Sequence, residues 1–512
     1  AAPGAAAVAA FDTCSAEDGL QSTTFSRPDG FLATVVLNCG DQAVDFKIQQ
    51  GQRAARATIP PHAAQTYLFE ERGNSPFRDL GGVPFIGVNF GGWLLLEEWM
   101  WASEMTEKGI RDEWTLIQQH GGPQSPDAKV LMEEHWRTFV SEEDVDVLLR
   151  FGITHVRVPV GYWLVDYDPA DGFVDGGEYY LARLLRWLSV RGMRCMIDLH
   201  ALPGAQTVRE SFTGKVAVTA DFFLKRRLYE RGKRAMLKLA QLILAYERDA
   251  STAGVVFGLE LVNEPAWKFW DTSPGIRELY EEMVPQIRRL LPPERYAIFL
   301  NFMESPRTTG SEWLADMRRR DPVNYASVVY DAHVYHSFGD DNQDGRLWNP
   351  LVDSCKTCCR DPSVLEPIAG KSLPMLVGEW SLNTGFPGNP SFYLEYFRNQ
   401  LSLWASLPGV VGSFFWNHRI LREPGGWYKE MSLLDLLAPK GPLPPLAQLN
   451  VTVRCPGVDL SRCPRFKPRT TLWNEECAWN GDPDIAAGLG VAHQQTRREQ
   501  DRARTHKGGI AR

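Results

Sequence analysis

No apolar run in this 512-residue chain reaches the ~20 residues that a membrane-spanning helix needs, and the net charge is −8 with no basic excess. The first absence excludes a helical membrane span. The second removes the electrostatic footprint of a nucleic-acid binder. A phosphate-cradling GxGxxG is also missing: GVNFGG, at 87–92, lacks that spacing and runs into tryptophan-rich sequence, not a helix, which counts against a doubly wound nucleotide-binding sheet. Zinc is disfavoured because Cys355, Cys358 and Cys359 have neither a histidine nor a second CxxC pair beside them. The chain opens on AAPGAAAV without Met, so any signal peptide is expected to have been removed already or to lie outside this sequence.

What is present is ordinary in bulk and unusual in detail. The length suits one large domain with appendages, and 44% apolar residues is a globular composition. Of nine cysteines, Cys195 lies inside the strand-like RCMIDLH and is expected to be a buried free thiol. The other eight lie in loop-like segments, an even number that favours disulfides and a secretory route. The sequon Asn450-Val451-Thr452 agrees with that route. Seventeen tryptophans must fill much of a core, and flat indole faces are also what sugar rings stack on.

Residues 1–10 read as an Ala-rich flexible leader. Residues 11–75 read as a small β-rich, sandwich-like segment built on FLATVVLN, AVDFKI and AAQTYLF, with Cys14 and Cys39 as a candidate tie. It shows no aromatic platform, so a scaffold role is expected. From 80 to 450, short apolar runs alternate with longer helical patterns such as MLKLAQLILAYERD and ELYEEMVPQIRRLL. The expected strands are 85–89, 155–160, 194–199, 255–263, 297–301, 327–333, 375–378 and 412–416, which predicts an α/β fold, a closed (β/α)8 barrel. Residues 451–480, with Cys455, Cys463 and Cys477, read as a disulfide-pinned extension, and 481–512 as a disordered tail.

In a barrel, polar residues at strand C-termini converge on one face. VVFGLELVNEP ends an apolar run on Asn263-Glu264-Pro265, and the proline, lacking an N–H, must stop the strand there. MLVGEWS puts Glu379 at the end of another run. The two glutamates are 115 residues apart (379 − 264), the length of about three βα units, so they face each other across the barrel mouth. Paired carboxylates there suit glycoside hydrolysis, one giving a proton to the leaving oxygen and the other attacking or activating water. The same ends supply Arg157, His200, His333, Tyr335 and Trp416. Singly, the histidines read as core and Trp416 as filler; gathered at one mouth they read as a site. Arg157 is expected to hold Glu379 ionised, while Glu379 raises the pKa of Glu264 across the cleft. Asp331, His333 and His336 are not expected to hold a metal, because strand residues three apart point to opposite faces.

The motifs GVNFGGWLLLEEWM, HWRTFVSEEDVDVLLRFGITHVRVPVGYW, DLHALPGAQ, GLELVNEP, DAHVYHSF, VGEWSL and FFWNH together resemble glycoside hydrolase family 5, nearest its exo-β-1,3-glucanase branch. The resemblance runs from about 83 to 437. It implies a retaining mechanism with Glu264 as acid/base and Glu379 as nucleophile. It also implies supporting roles for Arg157, His200, Asn263, His333, Tyr335 and Trp416, and contact of Glu97 with the terminal glucose. One loop departs: after DLHALPGAQ that branch continues in an Asn-Gly-Phe-Asp-Asn-Ser-Gly type loop, whereas this chain reads TVRESFTGK at 207–215, leaving Glu210 and Ser211 in its place. The expectation is a secreted, monomeric hydrolase of β-glucan with no metal or organic cofactor. The alternatives are a glycolipid-directed β-glucosidase or glycosylceramidase, and a barrel that binds carbohydrate without cleaving it.

Overall fold

The computed structural model describes residues 6–7, 19–26, 31–50, 53–70, 84–303, 308–336, 349, 352–369, 373–421, 429–437, 441–449, 451 and 455. The leader other than 6–7, Cys14, Asn450, Cys463, Cys477 and the 481–512 tail lie outside them.

The N-terminal segment contains β1 (Ala6–Ala7), β2 (Leu20–Ser26), β3 (Phe31–Asn38), β4 (Val44–Gln50), β5 (Arg53–Ile59) and β6 (Ala63–Glu70). Four of them form an antiparallel sheet in the order β1-β2-β3-β6, and β4 pairs with β5. Strands β2 and β5 were not expected from their sequences. LQSTTFS is mostly polar and RAARATI carries two arginines, so neither shows an apolar run. Phe46 and Tyr67 meet edge to face at 5.6 Å, joining β4 to β6.

The remaining strands are β7 (Phe85–Asn89), β8 (His155–Gly161), β9 (Arg194–Ala201), β10 (Val256–Glu260), β11 (Ala297–Asn301), β12 (Val328–Val334), β13 (Met375–Trp380) and β14 (Val410–Phe415). Every pairing between them is parallel, and they follow one another round a closed barrel in chain order, β14 meeting β7. The expected (β/α)8 barrel is therefore the fold. One expected strand is shortened: 255–263 is a strand only over β10, so Asn263 and Glu264 stand beyond it. At Glu264 the backbone turns into the left-handed region, φ 39°, a conformation that cannot continue a strand.

The barrel interior is layered. Its N-terminal half is apolar, filled by Phe85, Met196, Phe257, Phe299, Val329, Leu376 and Phe414. Toward the C-terminal ends the inward residues turn polar: Asn89, Arg157, Asp198, Glu260 and Asp331 are all fully buried. Helices on the outside fix the strands. The helix Glu142–Phe151 starts on a capping box, Ser141 Oγ accepting from Asp144 N–H and Asp144 from Ser141 N–H, and stops at Gly152, φ 113°, just before β8. Arg157 is thereby delivered to the barrel.

Cys195 is buried and free. Cys358 and Cys455 form a disulfide, and Cys39, Cys355 and Cys359 are disulfide-bonded as well, which removes the triplet at 355–359 from consideration as a metal site. No described helix is long and apolar enough to cross a membrane.

Candidate active site

Arg157 is the hub of the polar layer. With its side chain fully buried, it donates from Nε to Glu260 Oε2 at 2.9 Å and from Nη1 to Asn89 Oδ1 at 2.9 Å. From Nη1 it also reaches Glu379 Oε1 at 2.8 Å, and from Nη2 Asn263 Oδ1 at 2.8 Å, with Asp198 3.0 Å away. Burial alone would favour losing its proton, but Asp198, Glu260, Glu379 and Asp331 outweigh that and hold its pKa well above the usual value. The fixed cation pairs with Glu379, as expected.

Glu379 is fully engaged. Its second oxygen accepts from the Tyr335 hydroxyl at 2.7 Å and lies 3.5 Å from His333 Nδ1. Burial, then Glu379 itself, push the Tyr335 pKa up, so the phenol stays a donor.

Glu264 has a neighbour besides Asn263 and Glu379 that its strand-end position did not reveal. His333 Nδ1 sits 2.6 Å from Glu264 Oε1. Burial works against charge on His333, yet Glu379, Asp331 and Glu264 together raise its pKa well above the ordinary value. Asn301 Nδ2 lies 2.9 Å from His333 Nε2 on the other side. Glu264, whose side chain is 17% exposed against 6% for Glu379, is the more open of the two carboxylates. One oxygen of each lies within 4.8 Å of the other.

The remaining expected residues gather here too. His200 Nδ1 is 2.5 Å from Asp198 Oδ2, its Nε2 is 3.4 Å from the Asn263 amide, and its ring stacks parallel to Trp416 at 5.8 Å. Gly91 lies under that indole: a Cβ there would come within 2.5 Å of Trp416. Glu97 accepts from Trp99 Nε1 at 2.9 Å. Burial raises its pKa well above the usual 4.5 against the Trp99 hydrogen bond, with Glu379, Glu98 and Glu264 adding to the rise. Glu210 is raised by burial first and then by Glu264, which places the departing loop within the field of the site.

Asn89, Asp198, Glu260, Asn301 and Asp331 belong to the network without having been expected. Period-two alternation could have found two of them, Asp198 and Asp331, since Asp198/His200 and Asp331/His333/Tyr335 fall on one face of their strands. Glu260 was hidden between Leu259 and Leu261. Asp331 is held by Gly378, whose N–H donates to its Oδ1 at 2.9 Å; a Cβ on Gly378 would come within 2.4 Å of that oxygen.

For a metal, Glu264, His333 and Glu379 each offer one atom within 4.8 Å of the others, as do Glu260, Asp331 and His333. A guanidinium 2.8 Å from Glu379 and 2.9 Å from Glu260 already neutralises the carboxylates that a cation would need. His336 turns away to Asp361, 2.7 Å from its Nε2, so Asp331, His333 and His336 do not converge.

Comparison with known proteins adds an independent line. The description "Glycosyl hydrolase family 30 beta sandwich domain" matches residues 4–67. "Probable glucan 1,3-beta-glucosidase A" of Aspergillus fumigatus is 29% identical over 298 residues, covering 58% of this chain and 64% of that protein. "Glucan endo-1,6-beta-glucosidase B" of Emericella nidulans is 27% identical over 387 residues, covering 72% and 88%. The chain thus spans under two thirds of the length of the first of these relatives. Among solved structures, rutinosidase from Aspergillus niger superposes with a TM-score of 0.53 at 21% identity, over 66% of this chain and 90% of that one. That last likeness supports the barrel fold alone.

Proposed function

We propose that this chain is a retaining glycoside hydrolase of the family 5 type that cleaves β-glucan, acting on β-1,3 linkages from the non-reducing end. The observation that carries the reading is the distance between carboxylates. An oxygen of Glu264 within 4.8 Å of one of Glu379 supports the close pairing of retaining enzymes, about 5–5.5 Å, over the about 6.5–9.5 Å of inverting ones. The similarity to a glucan 1,3-β-glucosidase supports the substrate class. Disulfides at Cys39, Cys355, Cys358, Cys359 and Cys455 support an oxidising, extracellular setting.

Glu379, charged beside Arg157 and steadied by Tyr335, attacks the anomeric carbon. Glu264 protonates the departing oxygen, with charged His333 beside it as a proton source. The C1–O bond to the leaving group breaks as the bond to Glu379 forms. In the second half Glu264 takes a proton from water, which displaces Glu379 and frees the sugar with its β configuration kept. No metal or organic cofactor is required. Glu97 is available to hydrogen-bond a hydroxyl of the bound terminal sugar.

A second reading, endo-cleavage of β-1,6-glucan, is favoured by the 88% coverage of the Emericella nidulans relative and by the altered 207–215 loop. Initial rates on β-1,3- and β-1,6-glucans decide between them, and NMR of the first-formed anomer tests retention. Glu379→Gln should lose at least about 10³-fold in kcat. A first-formed α-anomer would overturn the retaining assignment, and absence of turnover on every β-glucan and aryl β-glucoside would leave a binding barrel.

A further inference from the structure

The acid carboxyl must face the group that leaves, so the wall beside Glu264 is the wall beside the leaving group. That wall is the segment just after Glu264. The left-handed turn at Glu264 redirects the chain, Pro265 is buried, and Ala266 N–H donates to Gln206 O at 3.0 Å. Gln206 in turn donates to the carbonyls of His200 (2.7 Å) and Asn263 (3.0 Å). A short 3-10 turn, Trp267–Phe269, follows from this anchored base. Trp267 is three residues from Glu264, so their Cα atoms are no more than about 11 Å apart.

Trp267 is built like a platform. One face stacks on Trp270, ring centres 4.5 Å apart and planes 23° from parallel. Trp270 is buried and meets Trp313 edge to face at 5.4 Å, so the lower indole cannot shift. Trp267 itself is half-buried. Its indole N–H has no hydrogen-bond partner among the described residues, whereas those of Trp93, Trp99 and Trp313 each donate to an oxygen at 2.9 Å. Trp267 packs on the edge of the core yet keeps part of its surface exposed. Here a rigid, flat, backed indole with a spare donor stands three residues beyond the proton-donating carboxyl.

We propose that Trp267 is a specificity-determining residue that stacks on the pyranose ring of the leaving group, its N–H available to a ring hydroxyl. The assignment rests on the hydrolase reading above. It makes the enzyme prefer a sugar as leaving group, and a sugar as acceptor in the reverse, glycosyl-transferring direction.

The test compares two substrates in wild type, Trp267→Ala and Trp267→Phe. Laminaritriose has a sugar leaving group; β-glucosyl fluoride has a single atom. Trp267→Ala should lower kcat/KM for laminaritriose about 5- to 10-fold more than for the fluoride, mainly through KM, the size expected for one aromatic stack. Trp267→Phe should recover most of the loss. Equal losses on both substrates would show a structural role and overturn the proposal, as would no loss on either. A loss confined to 4-nitrophenyl β-glucoside would overturn it in favour of an aromatic aglycone. If wild type turned over none of these substrates, the hydrolase reading itself would be the one that failed.

Discussion

Glu113 offers a perturbation whose size and sign can be worked out from the structure. It is fully buried at the start of the helix Glu113–Gln119, and its Oε2 accepts the N–H of Leu96 at 2.9 Å, tethering the backbone one residue before Glu97. Burial, which outweighs the Leu96 hydrogen bond, raises its pKa from 4.5 to about 8, and adjacent Asp112 adds to the rise. In the unfolded chain the group ionises near 4.5, so between pH 4.5 and about 8 the folded protein carries a proton that the unfolded one lacks. Stability must therefore fall as pH rises through that window, the fall being complete above it. The full span, 8 − 4.5 at about 1.4 kcal/mol per pH unit, caps the effect at about 5 kcal/mol. Between pH 5 and pH 8 about 3–4 kcal/mol of it is expressed. Glu113→Gln keeps the acceptor for Leu96 and removes the titration. Thermal unfolding of both proteins at pH 5 and pH 8 isolates Glu113, because every other titrating group cancels in the difference. At pH 5 the variant should match wild type closely. At pH 8 it should be the more stable by about 3–4 kcal/mol, roughly 3–5 °C in Tm. Parallel pH dependences in the two proteins would mean that Glu113 is already ionised in the fold, and the burial argument would fail.

Arg157→Met should be both unstable and nearly inactive: it strands Asp198, Glu260 and Glu379 without their cation, and breaking a buried pair costs about 3–5 kcal/mol. Near wild-type kcat in that variant would remove Arg157 from its assigned role. Tyr335→Phe takes one donor from Glu379 and should lower kcat by about 10–100-fold with a smaller change in KM, read from initial rates on a β-glucan. Gly91→Ala drives a methyl into Trp416 and should raise KM without moving the pH profile; a shifted profile would mean that the carboxylates had moved as well.

The barrel was legible because a parallel strand buried on both faces writes itself as an apolar run, and the polar residue that ends the run marks the mouth. That is how Glu264, Glu379, Arg157, His200, Asn263, His333, Tyr335 and Trp416 came to be expected in one place, where Arg157 donates to Glu379 and Asn263 and Tyr335 donates to Glu379. Glu260 defeated the same logic. A carboxyl inside the barrel, in the middle of an apolar stretch, is tolerable only because a buried guanidinium waits 2.9 Å away, and that partner sits 103 residues earlier in the chain. Hydrogen bonds such as His333 to Glu264 are equally invisible, since sequence gives strand ends but not the direction in which a side chain reaches between them. The short β10 illustrates the same limit: Leu261 and Val262 look like strand, but the φ of Glu264 is set by the site that the chain must build.

The Cys358–Cys455 disulfide closes 97 residues of chain into a covalent ring. Inside it lie β13 and β14, and with them Glu379 and Trp416. A loop of that length restricts the unfolded chain by about 4–5 kcal/mol in the chain-entropy account. The quarter of the barrel carrying Glu379 is thus stitched to the segment that follows β12. A protease that nicked an exposed loop within the ring would leave two chains still held together, with every barrel strand in place. Detachment would need both the cut and a reductant.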